Sequence, residues 1–303
     1  MAELAAGDAG DLTAAGTPPV DAPLEYVGRP APEDLRPWVT SLWYTHGPRP
    51  QRYEKILPMP IVHLIVNLSD PYQLLTRTTE PVRQTFRSGF VSGLLTRYLV
   101  IENPAIVRNM GAEFTPYGIA AFSATSVSEL TDTVQGSDAV LEGSGTLRER
   151  GVRASSGEQA LDVLEDYLRS IVRPDFSGSA VAITACDLIL ADPGIPIAEV
   201  AARCGMSHKS LIVHFRRHCG VTPKAFANLC RFHHFLNSLP LAGEMPRWSE
   251  LVAETGYYDQ AHFVRAFRGF TGFSPSEYLD SMRLYGPEYP SFVPMDYPGV
   301  EQG

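Results

Sequence analysis

The chain has no long hydrophobic run. No stretch of its 303 residues approaches the run of about 18 apolar residues that indicates a transmembrane helix, so we expect no membrane-spanning segment and no membrane partner. Residues 1–21 also have no basic n-region, with which an ordinary secretory signal peptide begins. We therefore expect a cytoplasmic protein.

Cysteine is scarce as well, and its spacing is not typical of a metal site. The four cysteines have no CxxC spacing and lie within helical patterns, at Cys186, Cys204, Cys219 and Cys230. In a reducing cytoplasm we expect them to be small buried core residues, with a metal or disulfide role as the alternative. The sequence therefore predicts no metal and no cofactor.

Positive charge is also in short supply. The 25 Lys and Arg residues stand against 34 Asp and Glu residues, and the net charge of −9 at first argues against a nucleic-acid partner. The distribution changes that conclusion. Residues 178–285 hold 10 basic and 9 acidic residues, a balance of +1, whereas the remaining residues hold 15 and 25, a balance of −10. The acidity belongs to the rest of the chain, so residues 178–285 remain compatible with DNA binding.

The C-terminal part of the chain contains one pattern written twice. The first copy runs through 198–205 and 215–226, and the second through 249–256 and 267–278. The offset between the copies is 51 residues up to the internal glycines and 52 residues after them. Two similar structural units are therefore predicted side by side, and the second has one extra residue in its turn.

Each copy has the parts of a helix-turn-helix. A short amphipathic helix ends at Gly205 in the first copy and at Gly256 in the second, and glycine tolerates the positive φ of a tight turn. A second helix follows, with a core stripe at i, i+4 spacing. The stripe consists of Leu211 and Phe215 in one copy and of Phe263 and Phe267 in the other.

The residues that begin and end the helices are similar in both copies. Ser207 is expected to cap one second helix, and Asp259 places a carboxylate near the start of the other. Both helices are predicted to stop at a glycine, after which a cap and a proline open a new helix: Gly220 with Thr222-Pro223, and Gly272 with Ser274-Pro275. Ser274 and Glu277 also have the spacing of a capping box.

This doubled pattern resembles the DNA-binding domain of the AraC/XylS family of bacterial transcription regulators. The resemblance covers roughly Ala180 to Met282, and its most specific part is the run from Gly256 to Pro275. It implies an all-α domain in which a long central helix joins two helix-turn-helix motifs. A chain with such a domain is expected to be a sequence-specific DNA-binding regulator, either an activator or a repressor.

The part of the chain ahead of this region has a mostly β pattern. Short apolar runs predict strands at 61–68 and 97–101 and a strand entry or short helix at 37–44, with Pro, Gly, Asn and Asp between them. We expect a barrel or sandwich, followed by helices from a capping box at Ser126 and Glu129. The strands come first in the chain and the helices follow.

Three phrases in this part, at 57–60, 66–68 and 114–119, are similar to a less characterised branch of AraC-family members with an N-terminal cupin-like sensor. That resemblance implies a domain that binds a small effector, dimerises or does both. It assigns no residue to an effector, so the effector-binding residues are unknown at this point.

The predicted fold class is therefore α+β, with a mostly β N-terminal domain and an all-α C-terminal domain. The expected segments are a disordered stretch at 1–22, an effector-binding or dimerisation domain at 23–175, a DNA-binding domain at 178–285 and a tail at 286–303. Residues 173–179 are predicted to form the linker between the domains.

The N-terminal domain is expected to end in a helix at 157–172. One face of this helix is apolar and carries Leu161, Leu164, Leu168 and Ile171. Two interpretations stay open, because this face could pack on its own domain or form the interface of a homodimer.

The helix after each glycine turn should enter the major groove with the residues opposite its core stripe. In the first unit these residues are His208, Lys209, Ile212, Val213, Arg216 and Arg217. In the second unit they are Gln260, Ala261, His262, Val264, Arg265 and Arg268.

The residue types indicate different roles. Arg265 can pair with guanine, and Gln260 with adenine or a phosphate. In the first unit Lys209, Arg216 and Arg217 are expected to contact phosphates. Ile212 and Val213 are apolar, whereas members of the family often have polar, base-contacting residues at these positions. They could contact thymine methyls or pack against protein.

The central helix is predicted at 223–239, between the two units. If it is stiff, it fixes the distance between the recognition helices. Both helices can then reach one face of the duplex in successive major grooves, about 34 Å apart.

Enzymatic functions fit the sequence poorly. Similar tandem motifs occur fused to DNA-alkyl-transfer domains with a cysteine nucleophile, but no cysteine precedes Cys186. A metal-dependent cupin enzyme needs several histidines and a carboxylate, and only His46 and His63 lie in the N-terminal part. The remaining alternative is a DNA-binding scaffold or protein-interaction module that has no effector. The expected partners are double-stranded promoter DNA, RNA polymerase, an unknown small-molecule effector and a second copy in a homodimer.

Overall fold

The structure is a computed structural model that describes residues 24–49, 51–75, 83–173, 176–239, 260–285 and 291–295. At residues 260, 262 and 283–285 it describes the backbone alone. The stretch at 1–22 that was predicted to be disordered, and the predicted turn residues Gly256 and Asp259, lie outside the described residues.

The first of two antiparallel sheets has six strands. They are β1 (Glu25–Pro30), β2 (Val39–Pro48), β4 (Val62–Asn67), β7 (Gly89–Ser92), β9 (Ile106–Phe114) and β10 (Val134–Gly136). Their order in the sheet is β1-β2-β9-β4-β7-β10. The predicted strand at 61–68 is β4, and the segment at 37–44 leads into β2.

The second sheet has five strands. They are β3 (Tyr53–Ile56), β5 (Tyr72–Leu75), β6 (Arg83–Phe86), β8 (Leu99–Glu102) and β11 (Phe292–Met295), in the order β11-β3-β8-β5-β6. The predicted strand at 97–101 corresponds to β8. Strand β11 comes from the C-terminal tail and pairs antiparallel with β3, so the end of the chain returns to the N-terminal domain.

The mostly β character of the N-terminal domain is confirmed. The described strands form two separate sheets, and within them no closed barrel is present. Alternate residues of the first sheet point to opposite faces. In β4, Val62, Leu64 and Val66 are fully buried in the core, whereas His63 and Ile65 point to the other face and line a cavity between the sheets.

Short helices follow the strands, as predicted. They are a 3₁₀ helix at Gly118–Ala121, α1 (Val127–Leu130), α2 (Ser137–Val140), α3 (Ser144–Val152) and α4 (Gly157–Ile171). The capping box predicted at Ser126 and Glu129 was wrong. The Ser126 side chain makes no cap hydrogen bond, and its Oγ lies 2.7 Å from Ser128 Oγ, because α1 is a single turn held by tertiary contacts.

Helix α4 is the helix predicted at 157–172, and its apolar face packs within its own domain. Leu161, Leu164 and Leu168 are fully buried, and the helix packs against β2 and α3. Arg29 of β1 lies within 3.3 Å of carboxylates on the exposed side of the helix, at Glu158, Asp162 and Glu165. Of the two interpretations for this face, the structure therefore supports packing on the domain.

The predicted linker lies against the N-terminal domain. The amide of Arg173 donates to the carbonyl of Ala121 over 2.9 Å, and the ring of Phe176 packs edge-on against Trp38, with 5.1 Å between the ring centroids. Ser179 then caps the next helix, since its Oγ accepts from the amide of Ala182.

The C-terminal domain is all helical in its described residues. Its helices are α5 (Ala180–Ala191), α6 (Ile197–Arg203), α7 (His208–Cys219), α8 (Pro223–Ser238), α9 (Gln260–Thr271) and α10 (Pro275–Tyr285). Their buried residues belong to the same apolar cluster as those of the N-terminal domain. Among the helices of the described segments, none is long and apolar enough to cross a membrane.

Candidate nucleic-acid interface

The first helix-turn-helix has the turn that the sequence predicts. Gly205 follows α6 with a φ of +66°, and the amide of Met206 donates back to the carbonyl of Ala201 over 2.9 Å. Ser207 caps α7, because its Oγ accepts from the amide of Ser210 over 3.1 Å. The direction in which α7 leaves the turn is therefore fixed by backbone geometry and one side-chain cap.

Helix α7 has one buried and one exposed face. Leu211, Phe215 and Cys219 are fully buried. On the opposite side His208, Lys209, Val213, Arg216 and Arg217 are exposed, and Ile212 is half-buried. Val213 is 65% exposed, so it does not pack against the described part of the protein. An exposed valine on this face leaves an apolar group free for another molecule.

Three of the four cysteines are buried in this domain, as predicted. Cys186 Sγ of α5 lies 3.5 Å from Cys219 Sγ of α7, and Cys230 is buried in α8. All three are free thiols, and burial raises the pKa of Cys230 to about 12. Cys204 differs from the prediction because it is half-buried at the end of α6.

Helix α8 joins the two units. Thr222 caps it and Pro223 is its first residue, as predicted. Its 16 residues span about 24 Å at 1.5 Å per residue. Near its start Phe226 packs on Phe215 of α7, and near its end Phe235 packs on Phe263 of α9, with 5.6 Å and 4.8 Å between ring centroids. One continuous helix thus contacts α7 near one end and α9 near the other.

Helix α9, the second of the two helices predicted to enter the major groove, also has a buried and an exposed side. Phe263 and Phe267 are buried as the i, i+4 stripe predicts, while Ala261, Arg265 and Arg268 are exposed and Val264 is half-buried. The backbone places Gln260 and His262 in the first turn of this helix, and their side chains lie outside the described part of the structure.

The predicted capping box at the start of α10 is present. The amide of Ser274 donates to Glu277 Oε2 over 2.6 Å, and the amide of Glu277 donates to Ser274 Oγ over 3.3 Å. The hydrogen bond from the Ser274 backbone lowers the pKa of Glu277. Gly272, just before it, has a φ of +69° and lets α9 end there.

The DNA-binding domain contacts the N-terminal domain at each of its two units. At the first unit, α1 packs against α7, and Arg217 and His218 line a crevice of about 190 Å³ together with Arg173 and Phe176. Arg217 was predicted to contact a phosphate, and it lies at this junction while its side chain stays exposed.

The second junction is built on a buried lysine. Lys55 of β3 is 3% exposed, and its Nζ lies 3.6 Å from the ring centroid of Phe273 and 4.3 Å from that of Tyr98. A cation over aromatic faces is a favourable electrostatic contact, most of all when water is excluded. Phe273 lies between α9 and α10, so this contact joins the second unit to the N-terminal domain.

The cavity between the two sheets has a volume of about 240 Å³. Most of its lining is apolar, and its acidic side chains each lie beside a basic one. Arg49 Nη1 lies 3.4 Å from Glu54 Oε1, and His63 Nε2 lies 3.5 Å from Glu113 Oε1. The hydroxyl of Ser41 also donates to Glu113 Oε2 over 2.7 Å.

Glu113, at the wall of this cavity, interacts electrostatically with His233 on the central helix of the DNA-binding domain. Burial opposes its ionisation, but His63, Ser41 and the nearby His233 of α8 together lower the pKa of Glu113. Burial in turn lowers the pKa of His233, while Glu113 acts to raise it. Each residue therefore feels the charge of the other across the domain junction.

This pairing is not evident from the sequence, in which His63 was weighed only as a metal ligand and Glu113 was not a candidate. His63 is a polar position in a mostly apolar strand, but Glu113 shares β9 with Arg108 and Asn109 and does not stand out in the sequence. Among the described residues no group of three or more His, Cys, Asp or Glu side chains could hold a metal ion.

Comparisons with known families agree with the geometry of the C-terminal domain. Residues 200–281 match the family model of a helix-turn-helix domain, and residues 29–135 match a domain of unknown function, DUF6597. Residues 200–281 form an AraC-type helix-turn-helix domain, the class of domain by which transcription regulators bind DNA. The protein joins this DNA-binding domain to a β-rich domain of unknown function.

Solved structures with a similar fold include several of ToxT from Vibrio cholerae. A 1.65 Å structure of ToxT is 9% identical, with a TM-score of 0.47, and the likeness covers 85% of this chain and 97% of that chain. An apo variant of ToxT is 12% identical, with a TM-score of 0.45 and coverages of 83% and 99%. ToxT bound to an unsaturated fatty acid is 11% identical, with a TM-score of 0.42 and coverages of 78% and 93%.

Identities and TM-scores of this size do not carry functional properties from ToxT to this chain. A search of curated protein sequences finds no significant match.

Proposed function

We propose that this protein is a cytoplasmic transcription regulator that binds promoter DNA through α7 and α9, and that a small molecule in its N-terminal domain controls this binding. The observation that supports DNA binding is that α7 and α9 pack their buried sides on opposite ends of α8 and leave their other sides exposed. Because α8 is a single helix, two faces at its ends can enter successive major grooves.

The two faces have different chemistry. On α9, Arg265 pairs with a guanine, with Gln260, Ala261, His262 and Arg268 beside it. On α7, Lys209 and Arg216 contact phosphates, and the exposed methyls of Val213 contact thymine. His208, Ile212 and Arg217 complete this face. The near-neutral charge of the domain gives modest non-specific affinity, so sequence readout supplies much of the binding energy.

The regulatory part rests on the cavity and on Glu113 at its wall. A ligand that contacts Glu113 changes the charge that His233 of α8 experiences. Such a ligand has different affinities for the states of the domain junction, which is what control of DNA binding requires. We propose no enzymatic activity. Contacts with RNA polymerase and a homodimer stay predictions.

The experiment is selection of binding sites from a library of random duplexes with the full chain. Enrichment of a motif with two half-sites, separated by about one helical turn, is the expected result. If no motif is enriched from the random library, the protein does not read sequence and this proposal is wrong. If a motif is enriched but no small molecule changes its affinity, the protein is a DNA-binding scaffold without an effector.

A further inference from the structure

The lining of the cavity combines aromatic rings with an excess of negative charge. Five aromatic side chains contribute to it: Tyr26, Trp43, Tyr72, Phe90 and Phe292. Its acidic and basic residues are Arg49, Glu54 and Glu113, so with histidine neutral the net charge is 1 − 2 = −1.

The two carboxylates, of Glu54 and Glu113, differ in their accessibility to a ligand. Glu54 is 2% exposed and is paired with Arg49. The side chain of Glu113 is 34% exposed, and each of its oxygens has room for a further donor beyond His63 and Ser41. Although burial opposes it, the hydrogen bond from His63 helps to lower the pKa of Glu113, so this carboxylate is ionised at neutral pH. The negative charge that meets a ligand is therefore that of Glu113.

Aromatic faces and an accessible carboxylate are the two features that recognise organic cations. The ring quadrupole attracts a cation over its face, and a carboxylate completes the charge and accepts hydrogen bonds from an ammonium group. A ligand carboxylate would meet the like charge of Glu113 in the same place, which raises the free energy of its complex.

We propose that this cavity binds a compact organic amine, with an aromatic or other apolar body among the rings and its ammonium group on Glu113. This proposal rests on the proposed function, because it names the class of effector for the same cavity. A cavity of about 150 Å³ lined by apolar side chains is known to hold benzene. The 240 Å³ here suits a body of one or two fused rings.

The proposal also explains how occupancy reaches the DNA-binding domain. An ammonium group on Glu113 competes with His63 for the carboxylate and offsets the charge that acts on His233 of α8. Occupancy of the cavity thereby alters the electrostatic interaction between Glu113 and His233 of α8.

The test is isothermal titration of the full-length protein with three indoles that share one body and differ in charge. They are tryptamine, a cation, 3-methylindole, which is neutral, and indole-3-propionic acid, an anion. At pH 7.5 we expect tryptamine to bind at least about tenfold more tightly than the acid, because one charge contact in a partly buried site has at least this effect. The comparison needs no variant, so it does not depend on how a mutant folds.

The variant Glu113→Gln should bring tryptamine to the affinity of 3-methylindole and leave the neutral compound unchanged. Glu149→Gln is the control, since Glu149 is an exposed carboxylate on α3 outside the cavity lining. The proposal is overturned if the acid binds as tightly as tryptamine, if tryptamine does not bind, or if Glu113→Gln keeps the preference for the cation. Site selection from random duplexes does not depend on these titrations, so the proposal of DNA binding is tested independently of the proposal of amine binding.

Discussion

Lys55 Nζ lies 3.6 Å from the ring centroid of Phe273, across the junction between the β-rich domain and the DNA-binding domain. Lys55 belongs to β3, which pairs with β8 on one side and with β11 on the other. Strand β11 comes from the C-terminal end of the chain. The second helix-turn-helix and the tail thus both meet the N-terminal domain at the same strand. This junction is a place where a change in one domain can reach the other.

We expect Phe273→Ala to loosen strand β3. The substitution removes a cation–π contact and apolar packing from a buried ammonium group, so amides of residues 53–56 should exchange about fivefold faster, which corresponds to about 1 kcal/mol. Hydrogen exchange by mass spectrometry measures this change. Ser276→Ala, an exposed change in α10, is the control. Equal exchange in Phe273→Ala and wild type would show that the contact does not hold the domains together.

Backbone strain and packing at this junction can be distinguished by comparing two glycines that have the same backbone conformation, of which only one lies at the junction. Gly205 and Gly272 have φ values of +66° and +69°. A β-carbon at Gly205 meets no atom within 4 Å, whereas one at Gly272 would overlap the ring of Tyr98. We expect Gly205→Ala to cost about 1 kcal/mol of unfolding free energy from strain alone, and Gly272→Ala about 1–3 kcal/mol more from the overlap.

Urea unfolding of the two alanine variants, side by side, measures that difference. Because the strain at the two positions is matched, the extra loss reports on the contact with Tyr98. Equal losses would mean that Gly272 is not packed against the N-terminal domain.

Stability should fall as the pH drops below 7 in part because of His233. Burial lowers its pKa below the ordinary value of 6.5, with Glu113 opposing and His234 adding to the shift. Below pH 6.5 the unfolded chain therefore binds more protons than the folded chain, and the free energy of unfolding decreases as the pH falls. Burial also lowers the pKa values of His46 and His218, which act in the same direction.

We expect His233→Gln to lose less stability than the wild type between pH 7 and pH 5.5. Urea unfolding at several pH values tests this, with His208→Gln, an exposed histidine at the start of α7, as the control. A pH dependence that is the same in His233→Gln and wild type would contradict the assignment.

The sequence predicted the C-terminal domain closely because its signals are local. Ser207, Thr222 and Ser274 each accept a hydrogen bond from an amide three residues on, and Gly205 and Gly272 supply positive φ, so residues near in sequence decide these features. The succession of strands and then helices in the N-terminal domain followed from the same kind of pattern. The capping box at Ser126 was wrong because a one-turn helix depends on its surroundings.

The rest of the site depends on contacts between residues that are far apart in sequence. Glu113 is separated in sequence by 50 residues from its partner His63 and by 120 residues from His233, whose pKa it affects, and Lys55 by 218 residues from Phe273. Periodicity within a segment carries no information about such pairs. The cavity, the two junctions and the pairing of the tail with β3 therefore required the structure.

The exposed residues of α7 lead to a prediction on salt dependence. If Lys209 contacts a phosphate, Lys209→Ala should weaken binding to all DNA sequences alike and reduce the slope of log affinity against log salt by about 1. Fluorescence anisotropy at four salt concentrations gives the slope. Arg203→Ala is the control, since Arg203 is an exposed cation on α6 that pairs with Glu199 over 2.5 Å. A slope that is unchanged in Lys209→Ala would exclude the contact.

The central claim is that the exposed face of α9 reads DNA sequence, and the affinity of Arg265→Ala tests it most directly. Anisotropy titrations compare this variant with the wild type on the duplex enriched by selection and on a random duplex of the same length. We predict a loss of about 1–3 kcal/mol on the selected duplex and little change on the random one. Equal affinities of variant and wild type on both duplexes would contradict the account.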